Sequence, residues 1–402
     1  MKLRTLFLAA ATLCMLSPVS FASNRRKKKE EKPEYKFEIV VENPITSVKD
    51  QASSGTCWCY SGIGFLESEI IKAGGPSLDL SEMYIVSNSF KERAVKYVRM
   101  YGIFNYSEGS SCGDVLNVWK NHGIVPQTEM EGLNYGESRN KFSELSKTSK
   151  AFLDVIAKKP NRRLSTAWKT AFNGIIDAYL GVAPETFTYE GKEYTPKSFA
   201  ESLNINMDDY VSITSFTHHP FYTSYSIQVP DNWRNDISYN VPIKDMMAIM
   251  DNALNNGYTI CWGADVSERG FSRNGVGVIP DTDKIKDIEE SGSDEARWIG
   301  VSKKKINAPY LSMPCPELTI TQEMRQEAYD RQETTDDHGM QIYGIAKDQN
   351  GTKYYLVKNS WNTAGKYKGI WYVSEAFVEY KTMNFIVNKN AIPTTIKEKL
   401  GL

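Results

Sequence analysis

The most informative stretch of this sequence is QASSGTCW, residues 51–58. Gly55 permits a tight turn directly before a predicted helix that begins at about Cys57 and continues to Ala73. A cysteine at a helix N-terminus lies beside unpaired N–H groups and the positive end of the helix dipole, which lower the pKa of its thiol. Gln51 can direct its side-chain amide to the space before the sulfur. The pattern predicts a nucleophilic Cys57, with Gln51 and the Cys57 N–H as an oxyanion hole.

The alternative for Cys57 is a buried structural cysteine, which is the commonest role of this residue type. Glutamine, glycine, cysteine and tryptophan at these offsets favour the nucleophile instead. Cys59 is different, because two residues further along a helix a side chain points to roughly the opposite side. We assign Cys59 to packing.

A thiolate nucleophile needs a base and a group that orients the base, and the chain has four histidines. His338 begins a predicted strand, and Asn359 ends the next predicted strand 21 residues later. If these strands are neighbours, the Asn359 amide oxygen accepts a hydrogen bond from the imidazole and fixes its tautomer. Trp361 would shield this hydrogen bond from water. Each residue alone also suits an ordinary turn, and the combination with Cys57 predicts a catalytic trio.

The other histidines carry less information. His122 precedes Gly123 at the end of a predicted helix, where a capping or surface role fits. His218 and His219 would suit a metal, but no carboxylate or cysteine lies near them in sequence. We therefore predict no metal site and no organic cofactor.

The order of elements indicates the fold class. Helical patterns dominate the first half, a polar and mostly helical excursion occupies about residues 141–210, and strands dominate the end of the chain. Helices followed by strands favour an α+β fold over alternating βαβ units.

Cys57, His338 and Asn359, in this order after Gln51, resemble the papain-like cysteine peptidases. Two differences are informative. Ser54 stands where papain has a disulfide cysteine, and His338 follows Cys57 by 281 residues instead of the usual ~130–150. Both differences are typical of the bleomycin hydrolase and aminopeptidase C group.

The likeness to this group extends over roughly residues 38–402. The matching segments are LSEMY (80–84), KER (91–93), GIVP (123–126), residues 214–225, NVP (240–242), NGY (256–258) and WGADV (262–266).

The resemblance implies a papain-like, two-lobed peptidase domain over residues 37–402, with a helical lobe and a β-barrel-like lobe. The excursion at about 141–210 would then be a helical insertion that builds contacts between subunits, since the group commonly forms homohexamers. Ser110 and Ser111 stand where papain-like enzymes use a glycine pair, so the resemblance assigns them to binding of the substrate backbone.

In this group the C-terminal arm enters the cleft, here residues 391–402, and the Leu402 carboxylate would bind the substrate's α-amino group. The resemblance therefore implies an aminopeptidase acting on peptides. Two alternatives remain open. An arm outside the cleft would favour an endopeptidase on the same site, and failure of Cys57 to react with a thiol reagent would favour a catalytically silent binding or assembly protein.

The composition is that of an ordinary globular protein, with 41% hydrophobic and 24% charged residues, and it excludes disordered and collagen-like chains. With 48 basic and 49 acidic residues there is no bulk positive charge, so we predict no nucleic-acid partner.

The first 22 residues are typical of a signal peptide. Basic Lys2 and Arg4 precede an apolar run over 6–16, which is too short to span a bilayer, and Ser20-Phe21-Ala22 supplies the small-x-small cleavage pattern. We expect cleavage after Ala22, a charged linker over 23–36, no transmembrane segment, and export to the periplasm or the extracellular space. The mature chain would keep an odd number of cysteines and hence a free thiol, which indicates reactivity. These are Cys57, Cys59, Cys112, Cys261 and Cys315.

Overall fold

The computed structural model of this protein describes residues 34–268, 270–285 and 313–402. The predicted signal peptide and residues 23–33 of the predicted linker lie outside the described residues. Among the described residues, no helix has the length and apolar content needed to cross a bilayer.

Ten helices and thirteen strands lie in the described part of the chain. The helices are α1 (Cys57–Lys72), α2 (Glu82–Arg99), α3 (Gly113–His122), α4 (Ser143–Ala157), α5 (Ala167–Leu180), α6 (Pro196–Ser202), α7 (Ile243–Asn255), α8 (Gln322–Asp330), α9 (Glu375–Lys381) and α10 (Thr394–Leu400). The strands are β1 (Glu38–Glu42), β2 (Phe187–Tyr189), β3 (Lys192–Tyr194), β4 (Tyr210–Thr214), β5 (Ser224–Ser226), β6 (Ile237–Asn240), β7 (Ile260–Ala264), β8 (Phe271–Ser272), β9 (Val276–Gly277), β10 (His338–Lys347), β11 (Lys353–Lys358), β12 (Ile370–Ser374) and β13 (Thr382–Asn388).

Helices α1–α6 surround one apolar core, which forms the helical lobe. Leu66 of α1, Ile85 of α2 and Phe172 of α5 are among its fully buried side chains. Local signals set the ends of the helices: the Ser81 hydroxyl accepts a hydrogen bond from the Tyr84 N–H at 3.0 Å and so caps α2.

The second lobe is built on an eleven-stranded mixed sheet with its own core. Its order is β5-β6-β4-β13-β7-β10-β11-β12-β9-β8, and β1 pairs with β10. β10 and β11 are antiparallel neighbours, as the sequence predicts for the strands that carry His338 and Asn359. Met340 and Val357 are fully buried between the sheet and its covering helices. The predicted α+β, two-lobed, papain-like fold is confirmed.

The two lobes meet where α1 packs against β10. Gly339 makes this contact close: a Cβ at this position would lie 2.7 Å from the Ser61 hydroxyl and 3.1 Å from the Trp58 Cα. The start of β10, including His338, therefore reaches the first turn of α1, which carries Cys57.

The excursion over 141–210 contains α4, α5 and α6, together with the short β2–β3 hairpin, and it packs onto the helical core.

The C-terminal segment differs from the expected arm. Its residues form the helix α10, which buries Ile396 and Leu400 against the core of the sheet lobe. Lys399 Nζ lies 3.2 Å from the Tyr222 hydroxyl, and the Leu402 N–H donates to the Lys397 carbonyl at 3.2 Å. The apolar spacing of Ile396 and Leu400, i and i+4, favours a packed helix over an extended arm.

Candidate active site

The loop before α1 leaves N–H groups available at Cys57. Thr56 is the N-cap residue of α1, and its side chain makes no capping hydrogen bond, so the first N–H groups of the helix face the sulfur instead. Glu108 fixes the loop from the other side. It accepts a hydrogen bond from the Gly55 N–H at 2.6 Å, and its carbonyl accepts one from Trp58 Nε1 at 3.0 Å.

The excursion supports the same loop. The Ser53 N–H donates to the Asn140 carbonyl, and the Phe142 N–H donates to the Ser53 carbonyl, both at 3.0 Å. The Ser146 hydroxyl of α4 donates to the Glu108 carboxylate. These contacts hold the nucleophile loop against residues 140–146.

The Gln51 amide is held in one orientation. Its Nε2 donates to the Ser54 carbonyl at 2.7 Å, and its Oε1 accepts from the Ser360 hydroxyl at 2.6 Å. Because a carbonyl oxygen only accepts, the atom facing Ser54 must be nitrogen. This leaves the second Nε2 hydrogen of Gln51 for the cavity that Gln51 and Cys57 both line.

His338 and Asn359 are hydrogen-bonded as their positions in sequence suggest. His338 Nε2 lies 2.8 Å from Asn359 Oδ1, and the same oxygen accepts from the Ser360 N–H at 2.7 Å. The Ser360 N–H can only donate, so the atom is oxygen and His338 Nε2 carries the proton. Nδ1 is then the basic atom of the ring. The Trp361 ring lies 4.7 Å from the His338 ring, at an interplanar angle of 30°.

One cavity of about 250 Å³ joins most of the predicted site residues. Its wall includes Gln51, Cys57, Ser110, Ser111, His338 and Trp361. The Ser110 hydroxyl is turned away, since it donates to Asp114 at 2.6 Å and accepts from Trp233 Nε1 at 2.8 Å. Leu402 is not part of this wall because α10 folds onto the sheet lobe. The expected contact between the terminal carboxylate and the cleft is absent from the described structure.

Burial reverses the predicted direction of the thiol pKa. It raises the pKa of Cys57 to about 12, and hydrogen bonds from the backbone of Gly339 and Trp58 only partly oppose this effect. Burial also lowers the pKa of His338 to about 4, against the smaller opposite effect of Asn359. Between these values the pair holds one proton, on sulfur, so Cys57 and His338 are thiol and neutral imidazole before substrate binds.

Three carboxylates of the cavity wall were not among the predicted site residues: Asp231, Asp336 and Asp337. A signal existed for Asp336, because residues i and i+2 of an extended segment face the same side and His338 is two residues later. For Asp231 there was none, since a loop far from Cys57 in sequence brings it to the cavity.

The remaining candidate residues have structural contacts. Cys59 is buried and its thiol donates to the Glu82 carbonyl at 3.3 Å. His122 Nε2 lies 2.7 Å from Glu92. His219 stacks on Tyr225 with ring centroids 4.1 Å apart.

Comparison with known proteins adds independent evidence. Residues 5–289 match the Peptidase C1-like family, a span that includes Gln51 and Cys57 and ends before His338. Aminopeptidase G of Lactobacillus delbrueckii subsp. lactis is 23% identical over 400 residues, covering 90% of this chain and 85% of that protein. Aminopeptidase C of Streptococcus thermophilus is 21% identical, covering 88% and 83%.

A solved structure shares the fold. The crystal structure of PepW from Lactobacillus rhamnosis HN001 superimposes with a TM-score of 0.67 at 19% identity, covering 90% of this chain and 84% of that one.

Proposed function

Because the chain belongs to the Peptidase C1-like family of cysteine-type peptidases, we propose that it is an aminopeptidase that releases N-terminal residues from peptides through an acyl-enzyme on Cys57. The observation that carries the proposal is the shared cavity of Cys57 and His338, with His338 oriented by Asn359 at 2.8 Å. The aminopeptidase names of the relatives at 21–23% identity support the substrate class.

In the proposed mechanism the Cys57 sulfur attacks the peptide carbonyl carbon while the thiol proton moves to His338 Nδ1. The Cys57 N–H and the free Nε2 hydrogen of Gln51 stabilise the oxyanion that forms. The imidazolium then protonates the leaving amine, and the C–N bond breaks. Water, deprotonated by His338, attacks the thioester, which releases the acid and restores the thiol. The neutral ground state makes His338 a general base in the first step.

The test compares leucyl and N-acetyl-leucyl amides of one fluorogenic amine. An aminopeptidase hydrolyses the first and discriminates strongly against the second. Equal rates on both, or cleavage inside long peptides with blocked ends, would instead establish an endopeptidase. No hydrolysis of either, together with no iodoacetamide labelling of Cys57 at neutral pH, would favour a silent binding protein.

Replacing Gln51 with alanine should lower kcat by about 10²–10³-fold, because one of two oxyanion donors is lost. Steady-state kinetics on the leucyl substrate measure the effect. The matched control is Ser360→Ala, which keeps the donor and removes only the hydroxyl that orients it at 2.6 Å, so its loss should be smaller. A change below about threefold in Gln51→Ala would remove this residue from the mechanism.

Replacing Gly339 with alanine should lower kcat by about 10–10²-fold, since displacement of a catalytic group by about 1 Å has effects of this size. The added methyl would lie 2.7 Å from the Ser61 hydroxyl and push β10, with His338, away from α1. Gly174→Ala is the control, because nothing lies within 4 Å of its Cβ position on α5. Full activity in Gly339→Ala would contradict the need for close contact between α1 and β10.

We also propose export of the protein and assembly into a homo-oligomer. The basic and apolar pattern of residues 1–22 supports export, and the resemblance to the bleomycin hydrolase group supports a hexamer. N-terminal sequencing of the secreted or periplasmic protein and its mass in solution test these two proposals.

A further inference from the structure

A carboxylate without a partner faces the catalytic cavity. Asp336 lies two residues before His338 in an extended segment and lines the same cavity wall. Among the described residues, its side chain has neither a hydrogen bond nor an ion pair. Every other function assigned so far leaves this carboxylate unused.

Two more acceptor groups lie near it. Asn384 donates through Nδ2 to the Ser212 hydroxyl at 3.0 Å, which leaves its Oδ1 as an acceptor. Gly263 keeps the space between the acceptors open: a Cβ there would lie 2.8 Å from Asn384 Oδ1 and 3.9 Å from Asp336 Oδ1. Asn384, Gly263 and Asp336 all line the cavity.

Asp231 supplies the third acceptor. Its Oδ1 accepts from Asn105 at 3.3 Å and from the Ser107 hydroxyl at 3.4 Å, and Arg93 lies 4.0 Å away. Its Oδ2 lies against the backbone of Gly109, where a Cβ would clash with it. One carboxylate oxygen is thus held by the protein while the other remains at the cavity wall.

The charge of this wall calls for a cation. Asp231, Asp336 and Asp337 line the cavity, and no lysine or arginine does so among the described residues. Burial, followed by the charges of Asp231 and Asp337, raises the pKa of Asp336 to about 7. A bound cation would relieve this repulsion and keep the carboxylate ionised.

An ammonium group fits this wall better than a metal ion. Within the described ranges, no three histidine, cysteine or acidic side chains lie close enough together to hold a metal. An ammonium group instead has three N–H donors and needs acceptors only, which are what Asp336, Asn384 and Asp231 present.

The ends of the cleft give the direction of the peptide. Near Asp231 the chain is closed, because Asn105 Nδ2 donates to the Pro230 carbonyl at 3.2 Å. On the other side of Trp361 lies a wider cavity of about 560 Å³, whose wall includes Arg139, Lys141 and Arg273. A peptide would therefore begin at the acidic end and leave past Trp361.

We propose that Asp336, with Asp231 and the Asn384 amide oxygen, binds the α-ammonium group of the substrate and makes the site specific for free N-termini. This inference rests on the proposed aminopeptidase function. It places the charge that selects the N-terminus on the strand segment before His338, whereas the folded α10 keeps Leu402 out of the cavity wall.

The experiment measures kcat/KM of wild type and Asp336→Asn on the leucyl and N-acetyl-leucyl amides. We expect Asp336→Asn to lose about 10²-fold on the leucyl amide, the scale of a lost charge-assisted hydrogen bond, and little on the acetylated one. Asp330→Asn, an exposed position on α8, is the control for removal of one negative charge and should match wild type. Iodoacetamide labelling of Cys57 verifies that each variant is folded.

The outcomes separate the two proposals. If wild type does not prefer the free amine, the proposed aminopeptidase function fails. If wild type prefers it and Asp336→Asn keeps the same ratio of the two kcat/KM values, only the present inference is overturned. If Asp336→Asn does not fold, Asp231→Asn carries the same test, and an unchanged ratio in that variant overturns the inference as well.

Discussion

Replacing Cys57 with alanine is expected to lower kcat by about 10⁶-fold, the loss that removal of a catalytic nucleophile produces in a serine peptidase. The sulfur is the only atom that becomes covalently bound to the substrate in the proposed mechanism, so neither the oxyanion donors nor His338 can replace it. Rates on the leucyl amide and the mass of the enzyme after rapid quenching measure the effect. Wild type should show a mass increase equal to one acyl group, and the variant should show none.

Cys59→Ala is the matched control for this variant. Cys59 lies on the same helix, is fully buried and contacts only structural groups such as the Glu82 carbonyl. It should keep kcat and lose some stability. A Cys57→Ala enzyme with more than about 1% of wild-type kcat would contradict the assignment of the nucleophile.

Replacing His338 with alanine is expected to lower kcat at neutral pH by about 10⁵–10⁶-fold, because the thiol then has no base to receive its proton. The variant and wild type should also differ in pH dependence. In wild type, activity falls as pH decreases through about 4, the pKa to which burial lowers His338, since the protonated ring cannot accept the thiol proton.

In His338→Ala only thiolate that forms in solution equilibrium can react. Burial raises the pKa of Cys57 to about 12, so the residual rate should increase about tenfold per pH unit up to this value. The pH profile between 5 and 9 measures this slope on the N-acetylated substrate, which has no titrating amine. His122→Ala, remote from the cavity wall, is the control. A flat profile in His338→Ala would show that another base serves Cys57.

The sequence was sufficient for the residues that local pattern and strand pairing determine. Cys57 follows a glycine turn at a predicted helix start, and α1 begins there. His338 and Asn359 lie at the adjoining ends of the antiparallel strands β10 and β11, so adjacency in the sheet makes their contact predictable.

It was not sufficient where the surroundings of a residue decide. The helix N-terminus predicts a lowered thiol pKa at Cys57, yet the lobes that close around the sulfur remove water and reverse the direction. Asp231 reaches the cavity through a loop held by Asn105, and no local pattern announces that contact. In the tail, Ile396 and Leu400 find a complementary apolar surface on the sheet lobe, which the sequence of the tail alone does not reveal.

The contacts between the nucleophile loop and residues 140–146 have a consequence for protein engineering. Trimming the excursion to obtain a minimal peptidase would delete the backbone bonds from Asn140 and Phe142 to Ser53, together with the Ser146 contact to Glu108. The excised enzyme would retain every reactive group and lose the brace that aligns them. Redesign for smaller size should therefore graft a substitute brace, or leave this segment in place and shorten the exposed β2–β3 hairpin instead.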